Sequence, residues 1–330
     1  MVNRLPPLVV ITGPTGVGKT EVATRLARLL PMSRDGHPGL RHARPSIEVV
    51  SADSRQVYRG MDIGTGKPSP AQQDAVPHHL IDVVDPDERY HAARFKAEAE
   101  SAIRRIRERG RLPVVVGGTG LYIRALVRGL LPAPPADLAF RAEIAAWADR
   151  EGAEALHARL REIAPDAARR IHPRDRVRLI RALEIHRLAG EPLAPQDHWR
   201  KSTPEFRLLM VGLTVSREFL YPALEARVDR MVLLGLGDEV RRLSDAGYDE
   251  RLPSMQGIGY RHFAAVIRGR SAPAHAANLM KRDTKRYAKR QWTWFAREPE
   301  IRWVDVRAAG GIEGAAELLG KLIEQSEFLS

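Results

Sequence analysis

Lys19 and Thr20 close the stretch "GPTGVGKT", and the spacing of its glycines is that of a loop that holds phosphate. Gly13 and Gly18 let backbone N–H groups curl around an oxyanion, and a helix starting directly afterwards adds its positive end. Lys19 brings a mobile point charge, and the hydroxyl of Thr20 suits Mg2+. Gly13, Pro14, Thr15, Gly16, Val17, Gly18, Lys19 and Thr20 therefore predict a di- or triphosphate site, with Thr20 as the metal ligand. The loop fixes a ligand class and leaves the reaction open.

Two further segments carry polar chemistry directly after apolar runs: "SADSRQVYRGMDIGTGKP" (Ser51–Pro68) and "GGTGLY" (Gly117–Tyr122). In a parallel sheet, ligands bind beyond the carboxyl ends of the strands. Asp53 and Thr119 are therefore expected beside the bound phosphates. Asp53 can hold Mg2+ through water, act as a general base, or simply cap a turn. Thr119 can donate to a phosphate oxygen or finish a turn. His78 and His79 have no third ligand at useful spacing, so no metal site is expected there.

A third feature is cationic. Lys281, Lys285 and Lys289 recur every four residues, as do Arg282, Arg286 and Arg290, which makes two adjacent stripes on a helix. Nothing acidic nearby is expected to balance six cations in ten residues. Trp292, Trp294 and Phe295 follow. Such a face can grip a phosphodiester backbone and offer rings to unpaired bases, although some of these aromatics must anchor the helix. A second cluster, Arg174, Arg176, Arg178 and Arg181, crowds the start of a helix capped by Asp175 and stopped at Gly190. Its apolar side is Leu179, Leu183 and Leu188. Cations there oppose the helix dipole and call for an anion or a neighbouring carboxylate.

The elements that must position these groups alternate. Leu8–Thr12, Ile47–Ser51, Leu112–Val116 and Leu208–Leu213 read as buried strands, Glu21–Leu30 and Ala93–Arg109 as helices. That alternation predicts an α/β fold: a P-loop NTPase-like, mostly parallel sheet with helices on both faces. "PAPPAD" (Pro132–Asp137) reads as a stiff linker, and Phe140–Ala189 is helical throughout, punctuated by Pro165 and Pro173. The expected organisation is a first core segment (1–131), a helical insertion domain (132–205), and a return to the core with a basic helical C-terminal region (206–330). After Val215 the chain reads as helical to about Arg297. Met32–Pro45 lacks periodicity and reads as a surface loop.

Composition narrows the class. The chain of 330 residues is 44% hydrophobic and 28% charged, which is ordinary for a globular protein. It has no cysteine, which removes disulfides, thiolate zinc sites and a cysteine nucleophile and fits a reducing compartment. No apolar run reaches the roughly 18 residues of a membrane span, so a soluble, cytoplasmic protein is expected. The net charge of +12 is gathered: residues 251–300 hold 11 Lys or Arg against Asp283, Glu298 and Glu300. That points to a polyanionic partner.

Taken in order, "GPTGVGKT", "SADSRQVYRGMDIGTGKP", "PHHLIDVVDP", "GGTGLYIRAL", "RVRLIRALEI", "GIGYRHF" and "KRYAKRQWTWFAR" resemble the bacterial tRNA dimethylallyltransferases, from Gly13 to Arg297. The resemblance implies transfer of a dimethylallyl group from dimethylallyl diphosphate to N6 of the adenosine immediately 3′ of the anticodon, with Mg2+. It implies a monomer that binds the tRNA anticodon stem-loop. Asp53 then matches the carboxylate that takes the N6 proton, Thr119 the threonine beside the diphosphate, and Arg227, or Arg230 one turn on, an arginine facing it. The family's tRNA contacts fall on Asp53, Ser54, Arg55, Gln56 and Thr119, on Arg141, and on Val177, Arg178, Leu179, Ile180 and Arg181. They continue on Gln256, Gly257, Ile258, Gly259, Tyr260 and Arg261, and on Arg290, Gln291, Trp292, Thr293, Trp294, Phe295, Ala296 and Arg297. The chain departs from the pattern at Met32–Pro45, where relatives go more directly to the second strand. A P-loop kinase or hydrolase would use ATP, with Asp53 on the metal. A prenyltransferase of free adenine nucleotides would have no use for the basic C-terminal half.

Overall fold

The apolar runs expected to be strands are strands, and they lie side by side. In the computed structural model, which describes residues 5–30, 46–130, 134–190 and 205–326, the chain runs β1 (Pro7–Thr12), α1 (Lys19–Leu29), β2 (Ile47–Ser51), α2 (Pro70–Ala75), β3 (His78–His79), α3 (Ala92–Glu108), β4 (Leu112–Val116) and α4 (Gly120–Arg128). It continues through α5 (Leu138–Glu151), α6 (Ala153–Ile163), α7 (Pro165–Arg170) and α8 (Arg176–Ala189). The remainder is β5 (Arg207–Thr214), α9 (Arg217–Leu233), α10 (Leu236–Asp245), α11 (Tyr260–Ile267), α12 (Pro273–Phe295), β6 (Ile301–Asp305) and α13 (Gly311–Gln325). The Met32–Pro45 insertion and the start of the expected linker lie outside the described residues.

The sheet has the order β3-β2-β4-β1-β5-β6, and every pairing is parallel. β1, β2 and β4 are buried on both faces, which is why they read as continuous apolar runs and not as alternating ones. On one face, α1 and α13 cover Val9, Ile11, Val114 and Val211. On the other, α3 lays down Phe95, Ala99, Ala102, Ile103 and Ile106, the inward stripe of a 3.6-residue period. The first turn of α1 begins at Lys19 because Gly18 takes the left-handed region, φ 93°, and swings the chain from loop into helix.

Residues 128–203 form a second compact unit, and 1–127 with 204–330 the first. The second unit is helical. Phe140, Ile144, Leu156, Leu160, Leu179 and Leu183 make its core. Asp175 caps α8, accepting from Arg178 N–H at 3.2 Å, and Gly190 ends it with φ 69°. Leu188, expected on the apolar side, is exposed. The helical run breaks at Gly152, φ 88°, as well as at the two prolines. Within the first unit, β3, β6 and α13 extend what the apolar runs revealed. Among the described residues no helix is long and apolar enough to cross a membrane.

Candidate active site

The tips of β1, β2 and β4 share one rim, and each tip is tied to the next. The Thr12 hydroxyl donates to Gly117 O at 3.0 Å. Thr119 N–H donates to Ala52 O at 3.2 Å, and the Thr119 hydroxyl accepts from Ser54 N–H at 3.0 Å. Thr119 is thus a joint between two strand tips. Asp53 Oδ1 accepts from the N–H of Arg55 at 2.8 Å and of Gln56 at 3.4 Å. One carboxylate oxygen therefore caps the turn, while Oδ2 has no protein donor among the described residues. The turn-capping and reactive readings of Asp53 are compatible, one for each oxygen.

Two cavities open along this rim. The larger, about 790 Å³, is lined by Thr15, Gly16, Gly18, Lys19, Thr20 and Glu21 together with the loop that follows β2 and with Arg227 and Arg230. The smaller, about 250 Å³, has an apolar wall of Val228, Met231, Ile258, Tyr260 and Met280, and carries Arg55, Arg261 and Arg290. Thr15, Asp53, Thr65, Arg227 and Met231 line both. A phosphate cradle thus adjoins an apolar, arginine-lined cavity, with Asp53 at the junction.

Lys19 Nζ donates to Gly13 O at 3.0 Å and Pro14 O at 2.7 Å. Burial pushes its ammonium down to about 8; Asp53 opposes the shift and Arg227 adds to it. Burial likewise lowers the Arg227 guanidinium from its ordinary value, against the pull of Glu21 and Asp53. Arg227 lines both cavities and Arg230 only the larger, which singles out Arg227 as the arginine at the junction. The Tyr287 phenol is pushed up to about 12, first by burial and then by Asp53, so it stays neutral at ordinary pH. Among the described residues no three His, Asp or Glu side chains gather into a metal site. Thr20, lining the larger cavity, suits Mg2+, which takes few protein ligands and shares itself with phosphate oxygens.

Glu239 had no signal in the sequence, where it reads as an ordinary acid in the first turn of a helix. It is buried, and accepts from the N–H groups of Asp62, Ile63 and Gly64 at 3.0, 2.8 and 3.1 Å and from the Tyr260 hydroxyl at 2.6 Å. It moulds the loop after β2 that lines both cavities. Lys67, in the same loop, donates to Tyr58 O at 2.7 Å and pairs with Asp62 and Asp82.

The basic face differs from its expectation. Carboxylates do balance it: Lys281 meets Asp229 at 2.7 Å, Lys285 meets Glu225 at 2.6 Å, and Asp283 takes Arg261, Arg282 and Arg286. Asp229 and Glu225 come from α9, distant in sequence, and Asp283 lies within α12 itself, where it serves arginines of both α11 and α12. Lys289 and Arg290 form no ion pair among the described residues and are exposed. The aromatic rings are mostly committed as well. Phe295 is in the core, Trp292 Nε1 donates to Thr214 Oγ1 at 3.1 Å, and Trp294 lies under Arg124 at 4.5 Å. Gln291, expected among the RNA contacts, is buried, and Arg55 donates to Pro253 O at 2.6 Å. Thr293, Ala296 and Arg297 are exposed, as is Gln256; Gly257, Gly259 and Tyr260 are buried, Gly257 and Tyr260 in the wall of the smaller cavity.

In the second unit Arg176, Arg178 and Arg181 of the arginine cluster find anions within the protein. Arg176 meets Asp149 at 2.5 Å, and Arg141 and Arg181 both grip the buried Glu184, Arg141 at 2.7 Å. Leu179 is in the core and adds no side-chain surface to an RNA, whereas Val177 and Arg178 are exposed. His79 is bound to Glu48 at 2.6 Å and His78 to Val76 O at 2.8 Å.

The geometry has counterparts. A family model described as IPP transferase matches residues 56–298. A tRNA dimethylallyltransferase of Geobacter sulfurreducens is 46% identical over 302 residues, covering 91% of this chain and 92% of the relative. That of Desulforudis audaxviator is 45% identical over 320 residues, 97% and 98% of the two chains. Among solved structures, the full-length tRNA isopentenylpyrophosphate transferase of Bacillus halodurans superposes with a TM-score of 0.67 at 40% identity, covering 98% of each chain. A eukaryotic dimethylallyltransferase acting on tRNA superposes at 0.72 with 27% identity, over 91% of this chain and 74% of its own.

Proposed function

The chain belongs to the IPP transferase family, and from that premise we propose that it transfers a dimethylallyl group from dimethylallyl diphosphate to N6 of the adenosine immediately 3′ of the anticodon in tRNA. The observation that carries this reading is the meeting of two cavities at Asp53 and Arg227. The cradle side suits the diphosphate: the amides from Gly16 to Thr20, Lys19 and Arg227 supply donors and positive charge. The other side suits an adenine base displaced from its stack, reached past Arg55, Arg261 and Arg290.

The N6 lone pair attacks the first carbon of the allyl group. The carbon–oxygen bond breaks, its electron pair leaves with the diphosphate, and the N6 proton passes to Asp53 Oδ2. An exocyclic adenine amine is a weak nucleophile, so a fixed approach and a carboxylate acceptor matter. Charge develops on the departing diphosphate, and Lys19 and Arg227 are held where it does. Mg2+, held by the Thr20 hydroxyl and the diphosphate, would neutralise part of that charge. The reaction belongs in the cytoplasm, where tRNA is found.

The test is mass analysis of tRNA nucleosides after incubation with purified protein, Mg2+ and the allylic donor, beside a reaction with ATP labelled at its terminal phosphate. A dimethylallyl mass on adenosine supports the reading. Label transfer from ATP in its place favours a kinase.

A further inference from the structure

Gln291, on α12, is 5% exposed, and both ends of its amide are engaged. Oε1 accepts from Thr15 N–H at 2.7 Å, and Nε2 donates to Gly118 O at 2.9 Å. One side chain therefore joins the phosphate loop after β1 to the tip of β4. The polarity is forced: Thr15 N–H can only donate and Gly118 C=O can only accept, so the span needs an acceptor and a donor on one planar group. A Cβ at residue 118 would overlap the Gln291 amide, so glycine there is what admits the bridge. One turn earlier on the same helix, Tyr287 lines the smaller cavity with Asp53 and Ser54, and Thr119, next after Gly118, accepts from Ser54 N–H. Thr15 itself lines both cavities with Asp53.

We propose that Gln291 is a positioning residue that fixes the phosphate cradle at a set distance from Asp53 and Thr119. Its amide occupies the Thr15 N–H and leaves the amides from Gly16 to Thr20 to the leaving diphosphate. It acts on donor binding and on transfer, and not on affinity for RNA, although its neighbours on α12 face outward. This rests on the donor reading given under the proposed function.

The test uses Gln291→Ala and Gln291→Glu in the full chain, with three readouts: the Kd of inorganic diphosphate by calorimetry, kcat and KM for dimethylallyl diphosphate, and the Kd of tRNA. Two hydrogen bonds of ordinary strength correspond to roughly thirty-fold, so Gln291→Ala should weaken diphosphate binding by about ten- to thirty-fold while tRNA affinity moves less than about two-fold. Gln291→Glu gives a signature that loss of packing cannot. A protonated carboxyl can accept from Thr15 N–H and donate to Gly118 O; an ionised one cannot donate and sets negative charge beside the cradle. Its activity relative to the unsubstituted protein should therefore climb as pH falls from about 8 to about 5. A ratio that stays level with pH overturns the proposal, as does a tRNA Kd that shifts as much as the diphosphate Kd. If Gln291→Ala does not fold, the pH ratio of Gln291→Glu decides. Failure of the donor reading looks different, because the unsubstituted protein would then transfer no dimethylallyl group to tRNA.

Discussion

Raising the pH above neutrality should disarm the cradle through one side chain. Burial in the loop pushes the Lys19 ammonium from 10.5 down to about 8. Near that pH about half the free protein offers a neutral amine to the diphosphate. From about pH 7 to about pH 9 the charged fraction falls from about nine-tenths to about one-tenth, so kcat/KM for the donor should drop roughly nine-fold. The assay is the initial rate at low dimethylallyl diphosphate and saturating tRNA across that range, with Lys19→Arg in parallel. A guanidinium keeps its charge there, so the variant should be slower at neutral pH yet show no decline centred near 8. A level profile in the unsubstituted protein, or the same decline in Lys19→Arg, refutes the assignment. The same burial opposes folding. Between about 8 and 10.5 the unfolded chain holds the proton and the folded chain does not, so the destabilisation present at neutral pH is relieved as pH rises through that window. Lys19→Met should accordingly melt higher than the parent at neutral pH, and the gap should close in alkali.

Three more outcomes follow from the site. Asp53→Asn keeps an acceptor for the turn but removes the base, so turnover should fall by about two to four orders of magnitude with tRNA affinity retained; single-turnover kinetics and a binding titration read the two separately. Glu239→Ala strands three loop N–H groups and the Tyr260 hydroxyl, which should lower unfolding stability by about 2–4 kcal/mol in denaturant titration and raise donor KM by loosening the cavity wall. Reversing charge at Lys289 and Arg290 should flatten the salt dependence of tRNA binding by about one log-log unit per lost phosphate contact, whereas reversing Lys285, already paired with Glu225, should change the slope less.

The parts of the molecule legible from sequence are those governed by local rules. β1, β2 and β4 are buried on both faces, so their residues are apolar without interruption and their ends are sharp. The phosphate loop is written in glycines because the backbone itself binds. β6 escaped detection because as an edge strand only Ile301 and Val304 of its five residues are buried; β3 is two residues long. The cationic stripes of α12 were plain in the sequence, but the carboxylates that meet Lys281 and Lys285 sit on α9, and pairing across elements leaves no periodic trace. For the same reason Gln291 and Glu239 were opaque in role: a buried amide or acid differs from an exposed one only through groups that the fold, and not the sequence, brings to it. Asp53 showed the reverse. Its position after a strand was informative, while the division of labour between its two oxygens needed coordinates.

The most direct measurement of the central claim is a crystal structure of the protein with an unreactive thio analogue of dimethylallyl diphosphate. The account predicts a diphosphate on the amides of Gly16–Thr20 with Lys19 and Arg227 turned onto it, and the five-carbon group ending beside Asp53 at the mouth of the smaller cavity. An analogue bound elsewhere, or one whose hydrocarbon points away from Asp53 and Thr119, would contradict it.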